Sequence, residues 1–80
     1  MTYLWQEERG FKYYRVQTDQ ELIADKLKRR KRFQLAMYAT NANLWVFTCT
    51  FARPDIAKKT LKSVTRQNPQ IDSEGLIFYK

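Results

Sequence analysis

Five consecutive cations, Lys28-Arg29-Arg30-Lys31-Arg32, are the residues of this 80-residue chain whose types and spacing point most directly to a chemistry. Adjacent cations repel one another, so a run of five is relieved by a nearby counter-charge, and the phosphates of a nucleic acid supply one. A helix C-terminus also favours cations, but it accounts for two or three of them better than for five. Lys58, Lys59, Lys62 and Arg66 recur at helical spacing further along and would extend the same patch, although an ordinary solvated helix face carries such residues too. Aromatics interleave with cations in Lys12-Tyr13-Tyr14-Arg15, and Tyr38 falls in an uncharged stretch that reads as a hairpin. Tyr13, Tyr14 and Tyr38 are therefore candidates to stack on unpaired bases while neighbouring Lys and Arg hold phosphates. Tyrosines that brace sheet edges with their hydroxyls in water have the same pattern.

Other chemistries are excluded by composition. The chain has no histidine, which rules out Ser-His-Asp and Cys-His catalysis and any histidine-dependent metal site. One cysteine, Cys49, makes neither a zinc cluster nor an internal disulfide, and its position among apolar residues reads as a buried, inert thiol. With Gly10 and Gly75 alone there is no glycine-rich phosphate loop. Asp72 and Glu74 have too few oxygen donors near them for a divalent ion and read as part of a turn. A nuclease working without histidine would have to recruit Tyr13, Tyr14, Arg15 and Arg32, and no spacing singles those residues out. The expectation is a protein that is not an enzyme, with no catalytic residues, no cofactor and no metal.

The net charge of +7 is unevenly distributed. Residues 18–32 hold six basic and three acidic side chains, and residues 53–66 hold five and one, so these two segments carry the whole excess. A basic excess confined to particular elements is the electrostatic footprint of a polyanion partner. No apolar run is long enough to cross a bilayer, and no apolar leader stands near the start, so the expectation is a soluble, intracellular (cytoplasmic) protein that does not engage membranes.

The elements that must position these residues centre on 33–51, FQLAMYATNANLWVFTCTF, which carries no charge. Its alternation predicts a hairpin with a three-residue loop, Asn41-Ala42-Asn43, and Asn43 in the left-handed region. That register gives a core face of Phe33, Leu35, Met37, Trp45, Phe47, Cys49 and Phe51. The opposite face carries Gln34, Tyr38, Val46, Thr48 and Thr50. An earlier hairpin is predicted from a short, frayed strand at Tyr3-Leu4-Trp5, a turn at Glu8-Arg9-Gly10 and an interior strand from Phe11 to Val16. Thr18-Asp19-Gln20-Glu21 fits a capping box opening a first helix, with Leu22, Ile23, Ala24 and Leu27 as its apolar stripe and an end near Arg30. A second helix starts at Ala52-Arg53-Pro54-Asp55 and buries Ile56, Ala57, Thr60, Leu61 and Val64. Gln67-Asn68-Pro69-Gln70 is expected to be a loop, Asp72-Ser73-Glu74-Gly75 a turn, and Leu76 to Tyr79 a closing strand.

The resulting order, β-β-α-β-β-α-β in a single domain spanning residues 1–80, predicts an α+β fold with two helices on one face of an antiparallel sheet and a ferredoxin-like (split βαβ) core. The functional expectation is a small, non-enzymatic domain that binds DNA or RNA, contacting phosphates through its basic helix faces and the 28–32 corner. The alternative is a protein–protein interaction module, an accessory or inhibitory protein that docks an acidic partner through those cations or self-associates as a homodimer through the Leu44–Thr50 face of its sheet.

Overall fold

The computed structural model describes residues 1–7 and 12–80. Its elements are β1 (Thr2–Gln6), β2 (Tyr13–Thr18), α1 (Glu21–Lys28), β3 (Gln34–Ala39), β4 (Leu44–Thr50), α2 (Pro54–Thr65), β5 (Pro69–Ile71) and β6 (Ile77–Tyr79). All strands join one antiparallel sheet in the order β3-β4-β2-β1-β6-β5. The turn expected at Glu8-Arg9-Gly10, and Phe11 with it, lies outside the described residues.

Period-two alternation sorts the strands into two faces. Leu4, Tyr14, Val16, Trp45, Phe47 and Cys49 point to one side and are buried there with Ile23, Ala24 and Leu27 of α1 and Ala57, Leu61 and Val64 of α2. Both helices thus cover the same face, as expected. The other face carries Tyr3, Trp5, Tyr13, Arg15, Gln17 and Phe78, and no helix among the described residues lies on it.

The α+β class and the antiparallel sheet agree with expectation, but the ferredoxin-like strand order does not. β2, α1 and β3 form a split βαβ unit, since β2 and β3 run parallel with β4 between them. A second such unit would lay β6 beside β2. Instead β1 occupies that place, paired from Thr2 to Gln6 with β2 and from Thr2 to Leu4 with β6. β6 consequently runs opposite to β4. The strand parallel to β4 after α2 is β5, which forms in the stretch expected to be a loop; Pro69 is accommodated because β5 is an edge strand. β1 is an interior strand rather than a frayed one.

Three local differences have clear causes. Thr18 does not cap α1: it is the last residue of β2, and its buried hydroxyl hydrogen-bonds Thr2 Oγ1 at 2.9 Å and accepts from Gln20 N at 3.1 Å. The helix therefore starts at Glu21 and ends at Lys28, and Leu22 turns outward, 79 % exposed. In the central hairpin the loop has four residues, 40–43, closed by Asn43 N donating to Thr40 O at 3.4 Å, with Asn43 at φ 50° as expected. A bulge between Leu35 and Met37 then absorbs one residue. Met37 is thereby moved to the open face opposite Val46, and Tyr38 to the covered face, where it stacks on Trp45 at 4.9 Å and 18°. Leu35 keeps the expected face but is 46 % exposed, because β3 is an edge strand.

α2 matches expectation closely. Pro54 sits in its first turn, where a missing N–H has no partner to lose, and Thr60 and Ile56 flank the buried stripe. Arg66 closes the helix at φ 58°, donating its N–H to Lys62 O at 2.8 Å. The turn at 72–75 forms around Asp72, whose Oδ1 accepts from Glu74 N and Leu76 N, both at 2.9 Å, with Gly75 at φ 84°. No helix among the described residues is long and apolar enough to cross a membrane.

Candidate nucleic-acid interface

The cation run 28–32 is held as a corner by two buried anchors, Leu27 at the end of α1 and Phe33 before β3. Between them the backbone makes two successive turns, closed by Arg30 N donating to Leu27 O at 3.0 Å and Phe33 N donating to Arg30 O at 3.1 Å. The five side chains therefore splay outward from a tight backbone, and all five residues are exposed.

The last turns of the two helices meet here. Lys26, in the last turn of α1, donates from Nζ to Val64 O in the last turn of α2 at 3.5 Å. Lys26, Arg29 and Arg30 line an open hollow of about 370 Å³ with Ser63, Val64 and Arg66. Arg30, Lys31 and Arg32 line a second, of about 360 Å³, with Phe33 and Thr60. The cations lining the two hollows thus come from the corner, from the last turn of α1 and from Arg66, which caps α2.

Magnitudes decide whether the helix ends alone explain this cluster. Each helix C-terminus contributes roughly half a negative charge. Lys28 pairs weakly with Asp25 at 3.8 Å. Arg29, Arg30, Lys31 and Arg66 make no ion pair with any described residue. Two half-charges and one carboxylate against seven cations (Lys26, the five of the corner, and Arg66) leave an excess of about five positive charges.

Arg32 is placed differently from its neighbours. Its guanidinium lies 4.8 Å from the centre of the Phe51 ring, a cation–π contact that turns it toward the sheet. It also lines a smaller hollow of about 220 Å³ with Tyr13, Gln34, Thr48, Thr50 and the carboxylate of Glu7, which is itself paired with Arg15. Tyr13 is 57 % exposed on the open face, so the fold brings one exposed aromatic ring and one corner cation together.

The remaining candidates are dispersed. Lys58, Lys59 and Lys62 do not line these hollows; Lys58 is half-buried, and the other two are exposed on α2. Tyr14 is 4 % exposed and packs edge-on to Phe51 at 5.8 Å, with burial raising its pKa, so its ring is out of reach of a base. Strand alternation puts Tyr13 outside and Tyr14 inside. Tyr38 has one ring face on Trp45 and keeps 44 % exposure. Lys26 and Ser63 are not among the residues the sequence points to, and Thr60, expected on the buried face of α2, is half-buried at the rim of a hollow. Lys26 lies in the same basic helix and was within reach of that reasoning, whereas the two hydroxyl residues join the site only through the packing of α2 beside the corner.

Other chemistry is sparse. Cys49 is buried, donates weakly to Tyr14 O at 3.7 Å and is pushed up to about 12 by burial, against an opposing effect of Arg32, so the thiol is inert at neutral pH. No group of three or more His, Cys, Asp or Glu among the described residues could hold a metal. On the open face, Tyr3, Trp5, Gln17 and Leu76 line a hollow of about 560 Å³ whose charged residues are Asp72 and Glu74. Its sign is opposite to that of the corner. Compared with protein-family models, with curated proteins and with solved structures, the chain matches none.

Proposed function

We propose that this protein is a non-enzymatic nucleic-acid-binding domain that grips phosphates with the corner 28–32 and the adjoining Lys26 and Arg66. One observation carries the reading: cations from the last turn of α1, from the corner that follows it and from the residue capping α2 line adjoining hollows with an excess of about five charges that neither carboxylates nor helix ends offset. An open hollow edged by Ser63 suits phosphate oxygens, which accept from guanidinium, ammonium and hydroxyl alike. Lys59 and Lys62 extend the field along α2, and Tyr13 beside Arg32 offers a place for one unpaired base.

The test is fluorescence anisotropy with labelled single- and double-stranded DNA and RNA across a salt series. Five phosphate contacts give a log–log salt slope of roughly −4.5, a loss of about 500-fold in affinity between 50 and 200 mM salt. Replacing Arg29, Arg30 and Lys31 by glutamine should flatten that slope. Absence of binding to all four probes at low salt, or binding indifferent to those three residues, overturns the reading. A salt-insensitive protein partner would speak for the interaction-module alternative.

A further inference from the structure

The sheet ends in two edges of different kinds. β5 has three residues, begins with Pro69 and runs into Asp72; shortness and an edge proline are devices that keep foreign strands away. β3 has six residues, Gln34–Ala39, with neither a charge nor a proline; its one irregularity is the bulge at Ala36, and no strand of the described residues lies on its outer side. Leu35 and Met37 are 46 % and 51 % exposed along it. We infer that β3 pairs antiparallel with β3 of a second copy about a two-fold axis, making one continuous sheet of twice six strands.

The bulge selects the register. Residues directly opposite in an antiparallel pair point to the same face. Leu35 opposes Phe47 and Tyr38 opposes Trp45, so both lie on the helix-covered face; Gln34 opposes Thr48 and Ala39 opposes Leu44, so both lie on the open one. The register that pairs the whole strand with itself sets Gln34 against Ala39 and Leu35 against Tyr38, twice each, with the axis between Ala36 and Met37. Faces match at every one of those pairs. Without the bulge Leu35 and Tyr38 would point to opposite sides, and the same register would fail. Charge also allows it: Lys31 and Arg32 fall beyond the paired strands, near the uncharged loop 40–43 of the other copy. The occupant is a second copy of this chain, because the strand matches itself in face and sets no charge against its own.

One consequence rests on the nucleic-acid reading, whereas the pairing does not. Each basic corner directly precedes β3, and matched faces put both corners on the same side of the joined sheet. Nine residue steps separate Arg32 from the position facing its counterpart, one of them absorbed by the bulge, so the corners lie roughly 26 Å apart at ~3.3 Å per residue. Two corners on one side let the dimer engage one nucleic-acid strand or duplex at two points, so it should bind more tightly than a monomeric variant.

Sedimentation equilibrium of the protein alone tests the pairing. A six-residue edge is a small interface, so a reversible dimer with a dissociation constant on the order of 10 µM is expected. Leu35→Lys and Met37→Lys, each at an exposed site and checked by thermal melting for an intact fold, should each weaken it tenfold or more. Ala36→Cys, beside the axis, should cross-link two copies under mild oxidation, while Gln70→Cys on the other edge should not. A monomer up to roughly 1 mM, or a dimer indifferent to both lysines, overturns the inference. Because nucleic acid is absent from the experiment, a dimer that binds none of the four anisotropy probes would sink the functional reading and leave the pairing standing, and a binding monomer would do the reverse.

Discussion

The two faces of the sheet are built from alternate residues of the same strands, and both are rich in aromatics. On the covered face Tyr14, Trp45 and Phe47 are sealed by the helices. On the open face Tyr3 and Phe78 sit with ring centres 6.2 Å apart, and Trp5 is half-buried beside the acidic turn. Aromatic content therefore does not locate the core; the helices do, by choosing which face they cover. Charge divides similarly. The cations gather where the two helices end, while the carboxylates of Asp72 and Glu74 border the hollow on the open face.

The comparison breaks first at Phe47. Phe47→Ala removes a fully buried ring and should cost about 3–5 kcal/mol in urea unfolding, whereas Trp5→Ala on the open face should cost well under half of that. Equal costs would mean that the open face is a second core. Next in size is binding: glutamine at Arg29, Arg30 and Lys31 should make the salt slope shallower by about 2.7, and Arg15→Gln on the open face, where Arg15 is paired with Glu7 at 2.7 Å, should leave it unchanged.

Alkaline pH sharpens the contrast further. Burial raises Cys49 from 9.0, and Tyr79 from 10.0, to about 12 each. A raised pKa favours the protonated form in the folded state, so the stabilisation is complete below the unfolded value and is lost as pH rises through the folded one. Stability should fall from about pH 9 toward 12, and Cys49→Ala should delay the onset by about one pH unit, as followed by denaturation at fixed pH steps. The smallest effect is expected at Arg66. Glycine fits φ 58° without a Cβ penalty, so Arg66→Gly should stabilise by up to ~1 kcal/mol while reducing the salt slope by about 0.9.

Much of the covered face was legible in the sequence because strong periodicity was set by residues that end up in the interior. Phe33, Trp45, Phe47, Cys49 and Phe51, together with Ala57, Leu61 and Val64, are buried as their spacing predicts. The errors cluster where a local signal met a tertiary competitor. Thr18 resembles a helix cap, but a buried partner, Thr2, claims its hydroxyl from another strand. Asn-Pro resembles a loop, but a free sheet edge beside β6 accepts Pro69. Alternation alone cannot reveal the bulge that exchanges the faces of Met37 and Tyr38. The basic corner was legible as a charge run, since charge needs no geometry to be noticed. Its hollows were not, because they depend on how α2 lies against the end of α1.

The insertion of β1 between β2 and β6 also bears on how the chain acquires its structure. Leu4 pairs with Ile77 and Thr2 with Tyr79, so nearly the whole chain separates the partners. Loop-closure entropy opposes such long-range pairings, which slows folding relative to that of a sheet built from local hairpins. During synthesis, the outer side of β1 stays unpaired, and Tyr3 lacks its Phe78 neighbour, until the last strand has emerged. The β3–β4 hairpin, β2 and both helices precede that moment, so the pairing of β1 with β6 waits on segments already made.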